Sequence, residues 1–474
     1  MPQSATTHFR FARPTSLPLA ARFDGGRRTS DGGLPWLEKA AAVLGRWSAL
    51  AGVLPEWRRR ASAVRHALET LVRQRVCQLA CGYEAQHDAN TLRPAPRLKV
   101  VCGRLPETGA DRASQPTCAR RENAVRPTTC SRLALALALA LGQGSRQERA
   151  RLARDRGEPG GAPRRIRLDL DGPDDPTHGD QEGSAYHGYS RQQMDSRWTS
   201  RCWSATATRP NASRPWCGPA MPTAATAWWR SSSGSCGPAG RAGRTCRLTC
   251  GDLRAARGVA GPARYDYCAA AGIGYPSGLV PTPRLAALAT PLLAAAQRHQ
   301  ALHGEPVRRA GVAGEAPYQA GSGPHARRVV DTAETLAEGP TTRFVVTPRS
   351  APPLALYDWS VAWAVAWAVD RGEPEGWRKD CKRAGNGDRL SDHRVVATQC
   401  RRILHAAAYG RLDTLRRWRL AAGLERRHLD TRRLRLRKIG DRVRELLTRV
   451  RRHLASSHPA TPLWHALAAG LHRS

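Results

Sequence analysis

Within the stretch DRGEPEGWRKDCK the residues Arg371, Glu375 and Lys382 follow the spacing Arg-x3-Glu-x6-Lys. On a helix, positions 371, 375, 379 and 382 share one face, so the carboxylate is flanked by cations a turn before it and one to two turns after it. A carboxylate can hold a divalent metal while Arg and Lys grip phosphate oxygens, the division of labour that phosphoryl transfer requires. The same spacing also describes an exposed helix laced with salt bridges. A second acid stands out at Asp171. In Arg165–Asp171, Ile166, Leu168 and Leu170 alternate with Arg167, Asp169 and Asp171, which reads as a half-buried strand ended by the polar turn GPDDPTHG. A carboxylate at a strand end is rigidly held and open to a substrate. Asp169 has the same parity and is its rival; Asp171 is preferred because it lies at the end. Asp174, Asp175 and His178 read as turn residues.

These acids sit in a very basic chain. It has 474 residues, with 76 Lys+Arg against 39 Asp+Glu and a formal net charge of +37. All but five of the cations are arginine, whose fork matches phosphate. A polyanion, DNA or RNA, is the partner this charge implies. Thirteen cysteines occur without a C-x2-C pair, and Cys77/Cys81 and Cys246/Cys250 have no matching His pair, so a zinc site is not expected. The opening residues lack a signal-peptide pattern. The apolar run Leu133–Leu141 is about half the length that a bilayer requires, so a reduced cytoplasmic setting without a membrane partner is expected.

The length allows two to four domains. Residues 1–35 read as irregular and 36–125 as helical, with Val64, Leu68, Leu71 and Val72 forming an apolar stripe and Arg65, Arg73 and Arg75 left to other faces. Residues 191–260 hold eleven Arg, two Asp, no Glu and five Trp with almost no periodicity, a composition expected to pack badly. A helix running toward a strand is predicted at YDYCAAAGIGY, antiparallel strands between 307 and 348, and an amphipathic helix carrying Leu404, Ala408, Leu412 and Leu415. Residues 359–369 form a Trp-Ala repeat, and 431–455 fit strand or helix equally.

Taken together, the blocks FDGGRRTSDGG, RQRVCQLACGYEAQHDANTLR, GRLPETGADRASQPTCARRENA, LDLDGPDDPTHGDQ, ALYDW, DRGEPEGW, RRILHAAAYGRLDTLRRW and LDTRRLRLRKIGDRVRELLTRVRRHLASSHP resemble the bacterial insertion-sequence transposases of the DDE type. The branch is the one with a Y-x2-R-x3-E-x6-K signature, and the resemblance covers roughly 23–189 and 262–465. It implies an α/β fold: a ribonuclease-H-like mixed-sheet catalytic core with a β insertion and an N-terminal helical domain. The implied division is 1–125, helical and DNA-binding; 126–283, the first part of the core; 284–348, the β insertion; 349–421, the second part of the core; and 422–474, a basic C-terminal region.

By resemblance, Asp171 falls on the family's first aspartate and Glu375 on the signature glutamate, with Arg371 and Lys382 as the phosphate-gripping pair. Asp252, in CGDLRAARG, stands for the second aspartate of an R-G-D-S-type strand end. The three acids imply a pair of Mg2+ (or Mn2+) ions and two-metal phosphoryl transfer that cleaves transposon ends and transfers the strands. The implied partners are double-stranded DNA, as transposon terminal inverted repeats and target, and a second copy in a synaptic complex at the nucleoid. The chain departs from the pattern at Ala368, where the signature has Tyr (Tyr357 lies upstream), at Pro173, where Thr is usual, and across 190–261, which matches nothing and has the look of a slipped reading frame. A catalytically inactive remnant that only binds DNA is the alternative reading.

Overall fold

The computed structural model describes most of residues 26–141, 262–358 and 392–472, short strands at 9–11, 19–21, 167–171, 185–186, 197–198, 204–208, 216–219 and 252–255, and a few positions between 182 and 390. The chain begins with strands β1 (Phe9–Phe11), β2 (Leu19–Ala21) and β3 (Arg28–Thr29). Helices α1 (Leu34–Leu44), α2 (Trp47–Ala51), α3 (Leu68–Cys81), α4 (Asp88–Leu92), α5 (Pro96–Val101) and α6 (Gln115–Asn123) follow, then α7 (Pro127–Leu141). Next come β4 (Arg167–Asp171), β5 (Ala185–Tyr186), β6 (Arg197–Trp198), β7 (Ser204–Thr208), β8 (Trp216–Pro219) and β9 (Asp252–Ala255). After them lie α8 (Pro262–Ala270), β10 (Ser277–Leu279), α9 (Pro283–His303), β11 (Val312–Tyr318), β12 (Arg327–Leu336) and β13 (Gly339–Val346). The last elements are α10 (Val395–Arg417), α11 (Leu429–Arg432) with a π-helical turn at Arg433–Arg437, β14 (Asp441–Glu445), β15 (Val450–Leu454) and α12 (Thr461–His472).

Two compact units result: Met1–Arg126, Ala384–Arg389 and Ala407–Ser474 make the first, Pro127–Arg383 and Leu390–Ala406 the second. In the first, the expected N-terminal and C-terminal regions fold together. Strand β14 lies between β15 and β3 in an antiparallel sheet. The Asp31-Gly32-Gly33 loop grips the chain just before β14: Gly32 N–H donates to Ile439 O at 3.0 Å and Gly33 N–H to Arg437 O at 3.1 Å. A Cβ at Gly33 would stand 1.8 Å from Leu436 O, so only glycine permits this approach. Lys438 Nζ donates to Asp31 at 2.7 Å and to the Tyr83 hydroxyl at 2.9 Å. Of the predicted apolar stripe, Leu68, Leu71 and Val72 lie on α3, with Leu71 and Val72 fully buried, while Val64 precedes the helix; Gly82, at φ 89°, ends the helix in the left-handed region.

Some arginines of the basic first unit are structural. Arg75 is buried, pairing with Glu122 at 3.1 Å and donating to the carbonyls of Tyr83, Glu84 and Ala85. It is therefore not offered to a nucleic acid, because an unpaired Glu122 in this core would carry a heavy desolvation cost. Arg121 joins the same carboxylate at 2.9 Å, and Arg97 and Arg452 converge on Asp441.

In the second unit the sheet order is β11-β12-β13-β10-β9-β4-β7-β8. β4 runs antiparallel to β7 and parallel to β9, and β9 runs parallel to β10. The predicted strand at 165–171 is β4, the helix-then-strand at YDYCAAAGIGY is α8 and β10, and the antiparallel strands are β11, β12 and β13. The span assigned wholly to a β insertion begins instead with the 21-residue helix α9. Tyr265, Cys268, Tyr275, Leu285, Val329, Phe344 and Val346 form the core beneath these strands. Leu133, Leu137 and Leu141 of the LALALALAL run are buried along α7 at helical spacing, and among the described residues no single helix is long and apolar enough to cross a membrane. The amphipathic helix is α10, with Leu404 in one unit and Ala408, Leu412 and Leu415 in the other, all buried. The ambiguous stretch 431–455 is both helix and hairpin.

Candidate functional site

The strand alternation that marks Asp171 in the sequence makes it the last residue of β4. β4 lies between β7 and β9; the ladder to β7 reaches Asp171, set against Ser204, while the ladder to β9 ends at Leu170. Asp252 is the first residue of β9, and the parallel register sets it against Arg167, with Asp169 against Arg254 and Leu170 against Ala255. A parallel strand rises about 3.3 Å per residue, so Asp252 lies roughly 13 Å along the sheet from the level of Asp171, and about half that from Asp169. The two acids expected as neighbours in one metal cage are thus on adjacent strands but at opposite ends of the paired stretch. The physical reason is the register: an acid level with Asp171 would have to follow Ala255.

Arg371, Glu375 and Lys382 lie outside the described residues, as do the Trp-Ala repeat, Pro173 and Ala368. Tyr357, upstream of the repeat, is buried and donates its hydroxyl to Glu334. Burial, then this carboxylate, pushes its pKa up to about 12, and Arg343 stands 3.7 Å from the same glutamate. Asp331, on the same strand as Glu334, has its carboxyl held above the usual range by burial. Both are core acids of β12, fixed by packing.

Among the described residues no three His, Cys, Asp or Glu side chains come together in a way that could hold a metal. The described cysteines, Cys77 and Cys81 among them, are buried free thiols; burial pushes Cys81 and Cys102 up to about 12 and Cys118 to about 11.

The family model for the transposase DDE domain, group 1, matches residues 12–193 and 247–474. The chain belongs to this family. In this transposase the match resumes at 247, so Asp252 lies inside it, whereas the motif blocks alone resume only at 262. The unmatched stretch 194–246 contains β6, β7 and β8. A comparison of the transposase with curated proteins finds no match. Transposases of the DDE family act on DNA and generally use divalent metals. The polar feature that sequence reasoning passed over is the outward face of β14 and β15. Its signal was available in DRVRE, where alternation places Arg442 and Arg444 on one side, opposite Asp441 and Val443.

Proposed function

We propose that this transposase cleaves the ends of its element and joins them to target DNA by metal-dependent phosphoryl transfer, on a ribonuclease-H-like core. The family match carries the reading. The strand order β8-β7-β4-β9-β10 supports it, with β4 antiparallel to one neighbour, parallel to the other, and ending in an aspartate. That is the order expected of such a core, whose first strand bears the first acid. Asp171 and Glu375 offer hard carboxylate oxygens, and one or two carboxylates beside substrate phosphates and water are the usual protein share at Mg2+. When bound, Mg2+ or Mn2+ supplies charge to the scissile phosphate and lowers the pKa of the attacking hydroxyl. Arg371 and Lys382 hold the flanking phosphates and so fix the scissile bond relative to the acids. Asp252 is not assigned to the same ion as Asp171, because the register separates them. Two copies, each holding a terminal repeat of double-stranded DNA in a synaptic complex, complete the reading, and a nucleoid location follows from that partner.

The test uses purified full-length protein and duplexes carrying the element's own ends, assayed for cleavage and strand-transfer products. Products are expected with Mg2+ or Mn2+ and absent with EDTA. Failure to cleave with either ion, or equal cleavage in EDTA, would remove the proposal.

A further inference from the structure

The antiparallel sheet of β3, β14 and β15 has one face turned inward and one turned outward. Inward lie Asp441 and Val443, both buried, with Arg452 donating to Asp441 at 3.0 Å. Glu445 has the same parity and anchors the strand end, accepting from Thr108 Oγ1 at 2.6 Å and from the backbone N–H groups of Glu107 and Thr108, each at 3.1 Å. The hairpin therefore stands on a fixed base, and its two carboxylates are spent on that base. The outward face carries Arg442, Arg444, Arg451 and His453, all exposed, with exposed Arg28 beside Arg442 on β3.

The cross-strand pairs on that face are Arg442 with His453 and Arg444 with Arg451. Like charges directly opposite one another destabilise a sheet. The ion pairs Arg97–Asp441 and Arg452–Asp441 lie on the other side of β14 and β15. Arg442, Arg444 and Arg451 thus make an exposed cationic patch on which Arg444 and Arg451 face each other at some cost in stability, and a polyanion relieves that cost.

We propose that the outward face of the β14–β15 hairpin docks on double-stranded DNA and grips its phosphates. This deepens, and rests on, the transposase reading, since it names a surface that holds the DNA apart from Asp171. A two-stranded ribbon fits the wide major groove of B-form DNA, whereas the deep, narrow major groove of A-form RNA does not admit it. Each phosphate contact contributes about 0.9 to the slope of log K against log salt.

The experiment compares the full chain with the R444A/R451A double variant, by fluorescence anisotropy on a short labelled duplex DNA at several salt concentrations. The variant is expected to bind about tenfold more weakly or worse, with its salt slope reduced by about 2. Its melting temperature should be no lower than the parent's, because the substitutions remove a repulsion. Unchanged affinity and slope in a parent that binds DNA would overturn the surface and leave the transposase reading standing. A parent that binds no duplex DNA would overturn both. Equal competition by duplex RNA would overturn docking in the B-form groove.

Discussion

Replacing Asp171 by asparagine lowers metal-dependent strand cleavage by about a thousandfold, equivalent to about 4 kcal/mol of barrier, if this carboxylate holds the catalytic ion. Asparagine keeps the size of the side chain at the end of β4, whose ladders to β7 and β9 are backbone bonds, so the fold and duplex binding should persist. The matched control is Asp252→Asn. Its residue begins β9 opposite Arg167, and the change should alter cleavage by less than about threefold. Cleavage rates under single-turnover conditions, beside duplex affinity, check both. An equal loss in the two variants would mean that the paired register of β4 and β9 is not the one that acts.

The largest effect on stability is expected from Glu122→Ala. Glu122 is fully buried, bonded to Arg75 and Arg121 and accepting from Gln86. Removing it leaves two buried guanidinium groups beside an empty space, and breaking a buried pair from one side costs about 3–5 kcal/mol. Urea unfolding followed by near-UV dichroism measures it. Because Arg75 is tied to three backbone carbonyls, the loss should also loosen the segment from Tyr83 to Ala85, which hydrogen exchange would register as faster exchange of those amides. A midpoint equal to that of the parent would mean that the ion cluster adds nothing to the first unit.

What could be read from the chain follows from the range of the interactions involved. The alternation at 166–171 sufficed for β4 because a half-buried strand has a period of two whatever lies around it. The helix α10 showed equally well, since Leu404, Ala408, Leu412 and Leu415 keep helical spacing. The helix α9 did not show: its apolar residues run around the whole helix, Leu288 and Leu302 being exposed while Leu285 is buried, so no single stripe marks it. The role of Arg75 did not show, because its partner Glu122 is 47 residues away and composition cannot distinguish a guanidinium facing solvent from one sealed in a core. The joining of the two ends of the chain was similarly hidden, since Asp31 and Lys438 lie 407 residues apart. At the site, the strand-end position of Asp171 was legible, but the offset of Asp252 was not, because strand register depends on pairing across the sheet rather than on local pattern.

The central claim is that Asp171 and Glu375, 204 positions apart in the chain, share a bound metal ion. Loading the full-length protein with Fe2+ in place of Mg2+, then adding ascorbate and peroxide, cuts the backbone next to the ion. Fragments ending near 171 and near 375, both suppressed by excess Mg2+, are the expected result. Cuts near only one of these residues, or none that Mg2+ suppresses, would contradict the claim.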